Sequence, residues 1–266
     1  MVSYPSELMA SVRSRKPLVH HITNYVTVND CANSCICAGG APIMTDDIDD
    51  VVDMVSMTQC LVINIGTLNR RTVESMLAAG ETASAKGIPI VLDPVGAGAT
   101  PLRTNTAMKL IEKVKPDVIK GNAGEMGVLS GFGGDVRGVD SHGASGDMGA
   151  IVKRVASKYG CVAAATGPLD YVSDGDVTIE LSNGHDLQGC VSGTGCMLSS
   201  VVGCYVGANG VSAESVSAAI SAFNIAAQDA AAACRGPGTF KPAFLDALYN
   251  LDGESLDKGM RIRPLD

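Results

Sequence analysis

Along most of the chain, short unbroken apolar runs alternate with longer segments whose apolar positions recur every three or four residues. Cys60-Leu-Val-Ile-Asn-Ile65 is a run of the first kind and stops at Gly66. Arg70 to Lys86 carries Val73, Met76, Leu77 and Ala83 at helical spacing, then Gly87 and Pro89; this predicts an amphipathic helix with a stop signal. Pro89-Ile-Val-Leu-Asp93, Asp117-Val-Ile-Lys120 and Cys161-Val-Ala-Ala-Ala165 are further buried strands. Between them lie helices over about 104–114, near Glu125, and over 149–159. Strands without polar alternation, separated by helices, predict a parallel sheet covered on both faces. Beyond Thr166 the pattern changes. Two short β-like runs flank Asp174-Gly175 and predict a hairpin over 170–181. A glycine-rich loop then opens two Ala/Ser-rich helices, about 194–208 and 213–234, whose small residues permit close packing.

No internal repeat and no linker divides the chain, so residues 1–266 read as one domain. Gly131 to Gly146, with six glycines and several charges, reads as a mobile surface excursion. The chain is 46% apolar, enough for a large core, with a formal net charge of −8. That balance and 4% aromatic residues without Trp argue against nucleic acid and anionic membranes as main partners. The longest uncharged stretch, Leu187 to Ala213, is interrupted by six glycines and is no spanning helix. Arg13, Arg15 and Lys16 stand before Pro17 without an apolar run, which is not a secretory signal. Nine cysteines inside apolar segments point to reduced thiols and a cytoplasmic address.

Candidate chemistry collects where strands end. In open α/β sheets ligands bind beyond the carboxyl ends of the strands. Gly66, Asp93-Pro-Val-Gly-Ala-Gly98, Lys120-Gly-Asn-Ala-Gly-Glu125 and Thr166-Gly167 all fall there. Val191-Ser-Gly-Thr-Gly-Cys196 precedes a helix, and its exposed N–H groups would form an anion pocket. Each feature has a plainer reading: a simple turn for the Gly-Thr-Gly loop, a capping box for Asn122 and Glu125, a strand terminator for Asp93. Together at one sheet edge, carboxylates and glycine loops suggest Mg²⁺–phosphate chemistry. No Gly-x-x-x-x-Gly-Lys-Ser/Thr and no Gly-x-Gly-x-x-Gly after the first strand is present, which disfavours P-loop nucleotidases and dinucleotide dehydrogenases.

Leu18-Val-His-His-Ile-Thr-Asn-Tyr-Val26, Ala41-Pro-Ile-Met-Thr45, Asp93 to Ala99, Gly121-Asn-Ala-x-Glu125, Ala165-Thr-Gly167 and Val191 to Cys196 occur in one order. That order, from about Ser11 into the C-terminal helices, resembles the hydroxyethylthiazole kinases of the ribokinase-like superfamily. The resemblance implies a three-layer ribokinase-like α/β fold with a mostly parallel sheet and helices on both faces. It implies ATP-dependent phosphorylation of the hydroxyl of 4-methyl-5-(2-hydroxyethyl)thiazole, a thiamine salvage step, in a homotrimer with sites between subunits. Met44 then corresponds to a thiazole-contacting methionine, Gly193 to the glycine beside the substrate hydroxyl, and Asn24 ends the segment lining the thiazole pocket. Thr166 and Lys120 correspond to ATP contacts, with Lys120 standing where most members carry arginine. Asn122-x-x-Glu125 resembles the Mg²⁺-organising motif, with Asp93 as a helper through water. Cys196 stands where sugar kinases of the superfamily place an Asp base; it is expected to orient the hydroxyl and accept its proton late, the plainer reading being a small residue that shapes the pocket. Hydroxymethylpyrimidine kinases and hydrate-repair dehydratases use similar sheet ends but normally carry that Asp and lack His-His-Ile-Thr-Asn. A non-catalytic binding protein would lose the carboxylates Asp93 and Glu125, and both are present.

Other features carry less. Cys31, Cys35 and Cys37 give C-x₃-C-x-C within a segment that reads as a packed helix. His20 and His21 have no companions at zinc-ligand spacing. Asp46, Asp47, Asp49 and Asp50 read as a helix N-terminus. His142 lies in the glycine-rich excursion without a partner.

Overall fold

The computed structural model describes residues 4–131 and 145–265. It is built on one nine-stranded sheet, ordered β2-β1-β3-β4-β5-β6-β7-β8-β9. The strands are β1 (Leu18–Ile22), β2 (Ala41–Met44), β3 (Cys60–Asn64), β4 (Ile90–Asp93), β5 (Val118–Asn122), β6 (Val162–Thr166), β7 (Asp170–Ser173), β8 (Thr178–Leu181) and β9 (Ile262–Leu265). β2 through β6 run parallel, and β7, β8 and β9 continue the sheet antiparallel. The strand runs expected around 60–65, 89–93, 117–120 and 161–165 are its parallel centre. They face both ways: Cys60 and Val62 enter one core while Leu61 and Ile63 enter the other.

On the first face lie α1 (Pro5–Arg15), α2 (Val28–Ala38), α8 (Thr194–Asn209), α9 (Ala213–Ala233) and α10 (Pro237–Asn250). On the second lie α3 (Val51–Val55), α4 (Arg70–Lys86), α5 (Pro101–Val114), α6 (Ala123–Ser130) and α7 (Ser145–Tyr159), while α11 (Gly253–Gly259) precedes β9. Chain direction explains the division. From β1 the chain steps outward to β2, and from β3 it steps the other way. Right-handed crossovers therefore place α2 on one face and α4 and α5 on the other.

The apolar pattern gives no strand at 18–22 or 41–44 and no helix at 237–250. Two histidines interrupt β1, Pro42 stands in the edge strand β2, and Pro242 lies inside α10. Proline is tolerated on a sheet edge because no ladder donor is needed there, and β9, with Pro264, is the opposite edge. The acidic run at 46–50 is only partly a helix start: Asp50 precedes α3, whereas Asp46 pairs with Arg71 at 2.9 Å. Cys31 and Cys35 are buried on α2, consistent with packing. The excursion at 132–144, with His142, lies outside the described residues.

Helix α8 is buried along most of its length. It can lie close because a side chain at Gly203 would meet Val62 Cγ2 at 2.7 Å. This seating brings the N-terminal turn of α8 over the end of β3.

Candidate active site

The chain order reverses between β1 and β3, so the loops leaving these strands diverge and open a crevice of the kind that holds ligands in doubly wound sheets. Asn24 follows β1, Asn64 ends β3, and Cys196 lies in the first turn of α8. The two amides both donate to the Cys196 Sγ, from Asn24 Nδ2 at 3.2 Å and Asn64 Nδ2 at 3.3 Å. Their orientation follows from their other partners. Asn24 Oδ1 accepts from the N–H of Thr27 at 3.1 Å and from its hydroxyl at 3.0 Å. Asn64 Oδ1 accepts from Gly66 N at 2.9 Å and Asn24 Nδ2 at 3.0 Å. With both oxygens committed, the NH₂ groups must face the sulfur.

The network continues inward. Asn64 Nδ2 donates to Asp93 Oδ2 at 3.0 Å, and Ser199 Oγ to the same oxygen at 2.6 Å. Lys120 Nζ joins them at 3.1 Å and also donates to the Gly195 carbonyl at 2.8 Å. An ammonium has three N–H donors, and these two bonds use two of them. Lys120 and Asp93 are both 3% exposed. Burial alone would lower the lysine pKa, but Asp93, Cys196 and Glu125 together outweigh it and hold it above the ordinary value. Lys120 stays charged.

Glu125 first serves the local structure. Asn122 Oδ1 accepts from Glu125 N at 2.9 Å while Glu125 Oε2 accepts from Asn122 N at 2.7 Å, a complete capping box for α6. Its other oxygen accepts from Gly96 N at 2.7 Å, tying the loop after β4 to the start of α6. Burial raises its pKa first, and the negative charge of Asp93 adds to the shift. A cation between the two carboxylates would relieve that strain. Mg²⁺ is usually held by one or two carboxylates with phosphate oxygens and water, and Glu125 with Asp93 fits that donor set. Among the described residues no group of three or more His, Cys, Asp or Glu could hold a metal on its own.

Gly193 precedes α8 with φ +89°, and a Cβ there would meet Thr27 Cγ2 at 2.1 Å. Only glycine permits this approach, which locks the 191–196 loop against the segment that orients Asn24. Two clefts flank the network. One, of about 260 Å³, is lined by His21, Met44, Thr45 and Arg71, and by Thr23 and Tyr25 on either side of Asn24. The other, of about 460 Å³, is lined by Thr166, Gly167, Asp170, Thr194, Gly195 and Asn224. Asn24, Asp93, Lys120 and Cys196 thus share one network, with Glu125 electrostatically coupled to it. Met44 and Thr166 stand outside it, one in each cleft; the Thr166 hydroxyl donates to Gly121 O at 3.4 Å. His20 and His21 are buried, with carbonyl partners Thr45 and Val19, and burial pushes the His21 pKa down to about 4. They are neutral, and His21 also lines the Met44 cleft.

A family model described as the hydroxyethylthiazole kinase family matches residues 9–254. The chain belongs to the hydroxyethylthiazole kinase family. With it, the chain is a phosphotransferase acting on an alcohol. It is 50% identical over 258 residues to a hydroxyethylthiazole kinase of Methanocella arvoryzae, covering 97% of each. It is 45% identical to one from Thermoanaerobacter pseudethanolicus over 96% of this chain and 98% of that one. The solved hydroxyethylthiazole kinase of Pyrococcus horikoshii OT3 superposes with a TM-score of 0.91 at 35% identity, covering 98% of this chain and 99% of that one. A pyridoxal kinase of Staphylococcus aureus, at 17% identity and TM-score 0.63 over 94% of this chain and 98% of that one, shares the ribokinase-like fold alone.

The sequence pattern did not single out Asn64, Ser199, Asp170 or Asn224. Asn64 had a signal, an amide inside an otherwise apolar strand run. The others have none, because their partners are brought together only by the tertiary fold.

Proposed function

We propose that this hydroxyethylthiazole kinase binds 4-methyl-5-(2-hydroxyethyl)thiazole in the cleft lined by Met44 and ATP in the cleft lined by Thr166. The hydroxyethyl arm points to Cys196, which the Asn24 and Asn64 amides hold between the clefts. The glycine at 193 lets the loop backbone lie against the hydroxyl. Lys120 offers its remaining N–H to the transferring phosphate, as a point charge rather than an arginine fork. Glu125 and Asp93 would hold Mg²⁺, which when bound neutralises phosphate charge.

The substrate oxygen attacks the γ-phosphorus, the bond to the bridging oxygen breaks, and ADP leaves with that electron pair. Cys196 orients the hydroxyl and serves as the acceptor of its proton late in the transfer. The transition state is loose, so positioning and charge neutralisation matter more than a strong base, which fits a cysteine in this place. The observation that carries the reading is the continuous network Asn24–Cys196–Asn64–Asp93–Lys120 lying between two clefts.

An assembly into homotrimers with sites at the interfaces is supported by the open edge of β2 beside the Met44 cleft. Tyr25, Val26, Ile48, Val52 and Met57 are exposed in the neighbouring segments, the sort of apolar surface that marks an interface. The continuous sheet supports one kinase domain over 1–266. A cytoplasmic location is supported by nine cysteines that are all free; no helix among the described residues is long and apolar enough to cross a membrane.

Purified protein incubated with ATP, Mg²⁺ and a panel of small alcohols should phosphorylate the hydroxyethylthiazole in preference to hydroxymethylpyrimidine and pyridoxal. Equal turnover across the panel would overturn the substrate assignment. Cys196→Ser and Cys196→Asp separate the proton role: near-normal kcat in Ser, with no gain in Asp, removes it.

A further inference from the structure

The cleft beside Thr166 is closed below by buried polar groups that the transfer step does not use. Asp170, Asn183 and Asn224 are 3%, 4% and 4% exposed. Asp170 Oδ1 accepts from Gly167 N at 3.0 Å, fixing the turn that follows Thr166. Its Oδ2 accepts from Asn224 Nδ2 on α9 at 2.6 Å. The same Asn224 nitrogen donates to the Asn183 carbonyl at 3.1 Å, and Asn224 Oδ1 accepts from Gln188 Nε2 at 3.0 Å. Gln188 in turn accepts from His185 N at 2.9 Å through its side chain and from the Thr194 hydroxyl at 2.9 Å through its carbonyl. One carboxyl group and two side-chain amides, Asn224 and Gln188, therefore link the 166–168 turn, the 182–190 loop and, through the Gln188 carbonyl, the start of α8, which are the walls of the cleft.

Both amide hydrogens of Asn224 and its oxygen are engaged, so its orientation is forced. A fully satisfied buried polar network fixes a single arrangement, and removing one member leaves buried groups unpaired. The walls contribute backbone to the cleft, and their separation sets what fits between them. Neither Asp170 nor Asn224 is placed against the reacting atoms.

We propose that Asp170 and Asn224 are positioning residues for the nucleotide, holding the two walls of its cleft at the separation that binds ATP. This rests on the reading that ATP occupies the cleft lined by Thr166. Binding of the thiazole, in the other cleft, does not depend on the pair.

The test compares steady-state kinetics of Asp170→Asn, Asn224→Ser and Ser182→Trp with the unmodified protein, varying ATP and the thiazole separately. Asp170→Asn keeps the shape but turns an NH₂ toward one of two existing donors. We expect KM for ATP to rise at least fivefold in Asp170→Asn and in Asn224→Ser, with KM for the thiazole within twofold. Ser182 is an exposed lining residue, and an indole there obstructs the cleft without touching the network. If Ser182→Trp leaves KM for ATP unchanged, the nucleotide does not bind there and the underlying reading falls. If Ser182→Trp raises it but the network variants do not, the positioning proposal alone falls. Equal rises in both KM values, or failure of both network variants to fold, assign the pair to the fold and also overturn the proposal.

Discussion

Lys120 and Asp93 make a buried ion pair whose disruption can be sized. The ammonium lies 3.1 Å from Asp93 Oδ2, and both side chains are 3% exposed. Replacing Lys120 by Met removes the cation while leaving the carboxylate in place. Breaking a buried pair in this way costs about 3–5 kcal/mol, because an uncompensated charge stays buried. Asn64 Nδ2 and Ser199 Oγ still donate to the same oxygen, which puts the expected loss near the lower end, about 3 kcal/mol. For a chain of this length that lowers Tm by about 6–12 °C. Asp93→Asn should cost a similar amount by stranding the ammonium beside the Gly195 carbonyl. The double variant Asp93→Asn/Lys120→Met removes both charges of the pair, and it should regain much of the stability, with a coupling of at least about 2 kcal/mol. Urea unfolding at fixed protomer concentration, without nucleotide, measures all three. Kinase activity should stay lost in the double variant although stability returns. A loss below about 1 kcal/mol in Lys120→Met, or strict additivity in the double variant, would show that the pair carries no such energy.

Gly193→Ala should lose thiazole turnover and about 1–3 kcal/mol of stability, given φ +89° and a Cβ 2.1 Å from Thr27 Cγ2. Adding Thr27→Ser, which deletes that methyl and keeps the hydroxyl, should recover part of both; no recovery refutes the contact. Asn64→Leu should lower kcat at least tenfold with KM for ATP within threefold, since it strips one donor from Cys196 and one from Asp93; unchanged kcat refutes the role. Burial first, against the bonds from Gly167 and Asn224, raises the Asp170 pKa to about 7. The native state therefore holds a proton that the unfolded chain has released. This contribution is fully present below about pH 4 and is lost as pH rises through 7, an effect of up to about 4 kcal/mol. Asp170→Asn should flatten that part of the stability-against-pH curve from urea unfolding, and an identical curve for both proteins excludes it.

The central strands were legible because a strand buried on both faces cannot alternate, and Cys60–Asn64, Ile90–Asp93 and Val162–Thr166 each form an apolar run bounded by glycine, proline or charge. The helices at 70–86 and 213–233 were legible from their period and composition. β1 and β2 were not, since His20, His21 and Pro42 break the run, and edge position rather than propensity decides that β2 forms. The site divides in the same way. Asn122 and Glu125 announce themselves because a capping box is local, spanning four residues. Asp93 and Lys120, Asp170 and Asn224, or Asn64 and Cys196 are partners only through the fold, and no spacing rule pairs them.

Strand order is what turns these separate residues into a site. Without β1 and β2 the remaining parallel strands run β3, β4, β5, β6 in simple succession, and nothing in that series marks one strand end over another. Placing β1 beside β3, with β2 outside it, reverses the direction of travel. The loop after β1 then leaves with α2 toward one face, while the loop after β3 leaves with α4 toward the other. The gap between them admits the first turn of α8, and Gly203 against Val62 lets that helix lie close enough for Cys196 to reach both amides. The location of the sulfur is thus fixed by the two strands that the apolar pattern hides. Substituting a bulky residue at Gly203, far from any ligand, should accordingly displace Cys196 before it unfolds the protein.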